Sequence, residues 1–115
     1  MTSDQVGHNA VSLVGRVSGE VEERELPSGD RLSTFRLVVP RPDSVEGRAR
    51  VDTIDVACWS GRTRRVAGRV EEGSVVAVEG ALRRRFFATG AGRASRYEVE
   101  AQRLRRLPRP VADRA

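Results

Sequence analysis

An all-β fold is predicted by three features of this 115-residue chain. Apolar and polar residues alternate with a period of two along most of it, as half-buried antiparallel strands require. Proline and glycine clusters interrupt the alternation where strands would have to end. Only one stretch carries helical spacing. The length suffices for one compact domain and falls short of two ordinary ones.

The first strand is expected at residues 11–17. Pro27-Ser28-Gly29-Asp30 then makes a turn, and a second strand at residues 32–39 sets Phe35, Leu37 and Val39 on one face, toward the core. Pro40 and Pro42 end it, because proline donates nothing to a sheet ladder, and residues 43–50 read as a mobile polar loop. The third strand, residues 51–59, sends Ile54, Val56 and Cys58 inward and leaves Thr53, Asp55, Ala57 and Trp59 outside.

A helix follows at residues 62–70, where Val66 and Val70, four apart, share a stripe. Ser60 is placed to cap its start and Gly73 to follow its end. Arg62, Arg64 and Arg65 lie near its positive end and Glu71 and Glu72 near its negative end, against the helix dipole. Tertiary packing must therefore hold it. Strand four runs from Ser74 to Phe87 with a bulge or bend at Gly80. A turn around Gly90-Ala91-Gly92 leads into strand five, residues 95–101, with Tyr97 and Val99 on its inner face and Leu104 and Leu107 prolonging the packing.

The domain so defined covers residues 9–107, between a flexible start at residues 1–8 and a short disordered end at residues 108–115. Five strands with one short helix between the third and fourth is the order of the five-stranded Greek-key barrel called the OB-fold, in which the helix plugs an open end. That fold favours oligonucleotide partners, but function has to be argued from side chains.

Composition narrows the partner. The net charge is +5, and all 21 basic side chains are arginines. Arginine pairs with phosphate through a planar fork and also stacks on bases, whereas lysine is a mobile point charge. A GC-rich genome would also favour arginine, so position is the better clue. Residues 1–60 hold 7 arginines against 10 acidic groups, and residues 61–115 hold 14 against 6, a one-sided footprint for a polyanion. No apolar run is long enough to cross a bilayer and the polar start resembles no signal peptide, so a cytoplasmic, nucleoid-associated protein is expected. The single Cys58 and single His8 exclude an internal disulfide and offer no metal-ligand spacing, so neither metal nor cofactor is expected.

Trp59 carries the functional reading. A ring of that size on an outer face is costly unless a subunit or ligand covers it. Phe87 shares its side of strand four with Arg83 and Arg85, while Arg84 points the other way with Leu82 and Phe86. Arg36, outward on strand two, extends the cationic surface. Rings beside arginines suit a protein that holds unpaired strands without reading sequence: every base has a face to stack, and guanidinium groups neutralise phosphate. The competing reading of the Arg83-Arg84-Arg85 run is a solvated barrel surface.

Three segments carry a family resemblance: Asn9-Ala-Val-Ser-Leu-Val-Gly-Arg-Val, the Pro27-Ser-Gly turn before Leu32-Ser-Thr-Phe-Arg-Leu, and Glu72-Gly-Ser-Val-Val-Ala-Val-Glu-Gly-Ala-Leu-Arg. Over residues 9–107 the chain resembles the bacterial single-stranded DNA-binding proteins, the last segment most specifically. The resemblance implies an OB-fold, a homotetramer with a homodimer as the alternative, and a role in coating single-stranded DNA during replication, recombination and repair. It implies stacking roles for Trp59 and Phe87. Thr53, Pro42 and Asp43 stand where the family commonly has further tryptophans, so weaker binding per subunit is expected. The chain ends at Asp113-Arg-Ala instead of a long acidic-tipped tail, and recruitment of proteins through such a tip is not expected.

Two other classes compete. An enzyme would need a nucleophile, base or metal set that His8, an inward Cys58, and Asp52 and Asp55 on opposite strand faces do not provide. An OB-fold accessory module of the primosome type, acting mainly through protein contacts, fits the missing rings and tail, but the basic second half with Trp59 and Phe87 opposes it.

Overall fold

The structure, a computed structural model, describes residues 5–42 and 50–108. What the sequence suggests for residues 1–4, 43–49 and 109–115 lies outside the described residues. The order of elements is β1 (Val11–Glu25), β2 (Arg31–Pro40), β3 (Val51–Cys58), α1 (Gly61–Ala67), β4 (Val75–Thr89) and β5 (Gly92–Leu107). The strands close into one barrel in the order β1-β2-β3-β5-β4. All pairings are antiparallel except β3 with β5, which meet at Val56↔Val99 and Ala57↔Glu100.

Inward residues come from every strand, as the alternation requires. Val17, Phe35, Leu37, Val56, Cys58, Val76, Val78, Val99, Ala101 and Leu104 form one cluster with Ala67 and Val70, and Val39, Ile54 and Val66 pack against it. Leu37 is 0% exposed at its centre. Truncating such a residue to Ala costs about 2–5 kcal/mol through lost burial and the cavity left behind.

β1, β4 and β5 run further than the alternation indicates. β1 first pairs with β4 through Val11–Arg16, then turns to β2. The β1–β2 ladder starts at Arg16 and is then interrupted by a bulge: its register jumps between Ser18 and Glu22, and Gly19 takes a φ of 79°, open to glycine at no steric cost. Beyond it, residues 22–25 pair with residues 31–34 as a first arm that stays against the barrel on its β2 side, where Leu32 and Ser33 are buried and Ser33 still pairs with Cys58 of β3. A second arm forms from β4 and β5, which stay paired from Gly80↔Ala101 to Thr89↔Gly92. Its two-residue turn is Gly90-Ala91.

The expected bulge at Gly80 is present. The register shifts between Glu79 and Gly80, with Gln102 of β5 as the extra residue. A Cβ at position 80 would run into the backbone carbonyl of Glu100, so the close approach of the two chains requires glycine there.

The helix is shorter than its spacing suggests. Ser60 caps it as expected, accepting from the Thr63 backbone N–H at 3.1 Å, but Gly68 rather than Gly73 ends it. The buried stripe is Thr63 and Ala67, with Val66 only partly covered, and Val70 reaches the core from beyond the last turn. Arg64 and Arg65 thus fall in the last turn, where they complement the dipole instead of opposing it. Tyr97 also departs from expectation. It shares the side of Val99, yet is 58% exposed, because at that point the ribbon has left the barrel and its inner side faces solvent.

Candidate nucleic-acid interface

A groove of about 600 Å³ runs between the two arms. Ser18, Gly19, Glu20, Glu22 and Arg24 line it from β1, Thr34, Arg36 and Asp55 from β2 and β3, and Arg85, Phe87, Arg96 and Glu98 from the β4–β5 arm. A second depression, lined by Gly29, Asp30, Arg31, Trp59 and Arg64, lies by the β1–β2 turn.

Parity along the strands explains who shares the groove face. Arg36 pairs with Asp55 and Thr34 with Ala57 on the outer side of β2 and β3, and one step past Cys58 puts Trp59 on that side too. On the β4–β5 arm, opposed pairs share a face, so Arg83 and Glu98, Arg85 and Arg96, and Phe87 and Ala94 belong together. Trp59 is half-buried and Phe87 is 41% exposed, so neither ring is sealed in the core.

Each ring carries a guanidinium. That of Arg85 lies over the Trp59 indole at 5.0 Å from the ring centroid, and that of Arg96 over Phe87 at 5.6 Å. Arg64 of α1 donates to the Trp59 carbonyl at 3.2 Å and fixes the backbone under the indole. Arg96 and Arg64 were not among the candidates from sequence. The position of the hairpin turn would have found Arg96, since pairing outward from Gly90-Ala91 sets it opposite Arg85.

Carboxylates hold most of the candidate arginines. Arg83 bonds Glu100 at 2.8 Å, Arg85 bonds Glu98 at 3.2 Å, and Arg36 lies 3.9 Å from Asp55 in a looser, largely exposed pair. The groove therefore sets Glu20, Glu22, Asp55 and Glu98 against Arg24, Arg36, Arg85 and Arg96, a balanced lining rather than the cationic one that the arginine count suggests. Arg84 is on the far side of the arm, hydrogen-bonded to Ser95 and packed between Phe86 and Tyr97, whose centroids lie 4.9 and 5.5 Å away. The structure thus gathers Trp59, Phe87, Arg85, Arg83 and Arg36 on one face and leaves Arg84 on the other.

The sulfur and carboxylates that sequence reading weighed for chemistry are engaged or buried among the described residues. Cys58 is 0% exposed, and burial pushes its thiol up to about 11, a rise that a hydrogen bond with Thr63 only partly offsets, so it stays protonated near neutrality. Asp52 is engaged by Arg41 at 2.8 Å, which raises the Arg41 pKa. Among the described residues no group of three or more potential ligands is placed to hold a metal ion, and no helix is long and apolar enough to cross a membrane.

Residues 8–107 match the profile of the single-strand binding protein family. The chain belongs to that family. It is 34% identical over 86 residues to a single-stranded DNA-binding protein of Halalkalibacterium halodurans, covering 74% of this chain and 51% of that one. It is 33% identical over 101 residues to single-stranded DNA-binding protein A of Bacillus subtilis, covering 86% and 59% respectively. The chain thus spans little more than half the length of these two relatives. Among solved structures, a Plasmodium falciparum SSB in complex with ssDNA superposes with a TM-score of 0.76 at 22% identity, over 92% of this chain and all of the other, and shows the same OB-fold.

Proposed function

We propose that the chain binds single-stranded DNA without sequence preference and without catalysis, serving replication, recombination or repair in the bacterial cytoplasm. The observation that carries this reading is the pairing of two rings with guanidinium groups on one face of the molecule: Trp59 with Arg85 and Phe87 with Arg96. Stacking on such rings is worth about 1–3 kcal/mol per base and tolerates any base. The similar proteins of Halalkalibacterium halodurans and Bacillus subtilis are named for single-stranded DNA binding, which supports the same ligand here.

In this mechanism Trp59 and Phe87 receive bases, while Arg83, Arg85 and Arg36 exchange their carboxylates for backbone phosphates. Arg84 meets phosphates of a strand that passes around the arm. Because each phosphate displaces an existing ion pair, binding releases less free energy per arginine than a bare cationic groove would. Single-stranded DNA fits the groove better than a duplex, whose bases are stacked on one another and present no free face.

We further propose a homotetramer. Val14, Val51 and Leu82, exposed by 52%, 47% and 45%, are apolar side chains outside the groove that a subunit contact would cover.

Anisotropy titration of labelled oligo-dT and of a matching duplex, over a range of salt, tests the proposal. Strong preference for the single strand is expected, with log affinity falling by roughly 0.7 per phosphate contacted for each decade of salt. Equal, weak binding to both would favour an accessory module acting through protein contacts.

A further inference from the structure

Arg85 links the two depressions. It lines the larger groove, and its guanidinium covers the indole of Trp59, which lines the smaller one. A guanidinium is planar and stacks on an aromatic face as a nucleobase does. Seated 5.0 Å from the ring centroid, that of Arg85 occupies the surface a base would use.

Two neighbours keep it there. Glu98, only 8% exposed, bonds it at 3.2 Å. Arg96 is registered directly opposite Arg85, so like charges push the two side chains apart. Arg85 leans toward Glu98 and Trp59, and Arg96 toward Phe87. The two platforms differ in consequence. Among the described residues no carboxylate is ion-paired to Arg96, whereas Arg85 is anchored by a buried acid.

We propose that Arg85 is a displaceable cap on Trp59, that Glu98 is the positioning residue holding it closed, and that a base stacks on Trp59 only by exchanging places with the guanidinium. The cap is a property of the free protein, and its exchange with a base rests on the single-strand-binding function proposed above. Phe87 is then the first ring available to an incoming strand and Trp59 the second. Swinging away, Arg85 trades Glu98 for a phosphate and leaves a buried carboxylate without its partner. Glu98 therefore weakens binding, although it lies on the binding face.

Trp59 is the only tryptophan, so its accessibility can be read directly. Acrylamide quenching of the free protein should increase about two- to fivefold in R85A, the factor that loss of an exposed cation–π contact of about 0.5–1 kcal/mol corresponds to. A smaller increase is expected in E98Q, which keeps the guanidinium but releases its anchor. R83A removes the same charge from the next ion pair along the arm, does not touch Trp59, and should leave quenching unchanged. With oligo-dT, E98Q should bind more tightly than wild type. Wild-type quenching in R85A would overturn the cap, and wild-type quenching in E98Q with an increase in R85A would overturn the role of Glu98. Increased quenching in both variants without any binding of oligo-dT by wild type would support the cap and instead sink the proposed function.

Discussion

Arg83 is registered opposite Glu98, yet its guanidinium bonds Glu100, the next acid toward the barrel, at 2.8 Å. Arg85, opposite Arg96, makes the same diagonal reach to Glu98 at 3.2 Å. Diagonal neighbours on a ribbon lie within reach of long side chains, and here the diagonal pairs each cation with an acid while the direct pairing sets Arg85 against Arg96. Two arm arginines are thus positioned before any ligand arrives.

Replacing Arg83 by Ala removes one such pair. The pair is largely exposed, with side-chain exposures of 50% and 32%, so the loss of stability should stay within about 1 kcal/mol in denaturant unfolding. The salt slope of oligo-dT binding should fall by about 0.7 if Arg83 contacts one phosphate. An unchanged slope would remove it from the binding face.

Phe87→Ala should weaken oligo-dT binding by about 1–3 kcal/mol. Its ring is 41% exposed on an arm, so the melting temperature should hardly move. A large drop in melting temperature would instead make Phe87 a packing residue.

Gly80→Ala tests the junction between arm and barrel. The added Cβ meets backbone rather than a yielding side chain, so a loss of about 1–3 kcal/mol is expected from overpacking. Wild-type stability in G80A would show that β4 and β5 are not so tightly apposed there.

Cys58 gives a pH test. Its thiol is raised in the fold to about 11 from 9.0, chiefly by desolvation. The unfolded chain therefore ionises first, so the stability linked to this thiol is fully present below about pH 9 and is lost as pH rises toward 11, by up to about 3 kcal/mol. Stability curves of wild type and C58A should converge over that window. Parallel curves would mean that the thiol is not desolvated.

The barrel was legible because its strands have one wet and one dry face. Ile54, Val56 and Cys58 announce the inner side of β3, and parity alone then sets Trp59 outside. Gly80 stood out as glycine within an otherwise apolar alternation. The arms were less legible for the same physical reason. Where the β4–β5 ribbon leaves the core both faces are wet, so Arg83-Arg-Arg-Phe-Phe87 loses the alternation that marks a half-buried strand. In Val21-Glu-Glu-Arg-Glu25 the burial is supplied by Val21 and by the opposite strand, through Leu32 and Ser33, and the charged run hides it. Tyr97 was misplaced because its parity is right while the core it would enter has ended. The acids beside the arginines depend on pairing across a hairpin, so Glu98 and Glu100 gain meaning only once the register is known.

Emission from Trp59 during titration with oligo-dT at low salt tests the central claim most directly. Stacking of a base on the indole predicts strong, saturable quenching that reverses when salt releases the DNA. Saturated binding, confirmed by anisotropy, with no change in emission would contradict it, because the strand would then be held without the ring on which the mechanism depends.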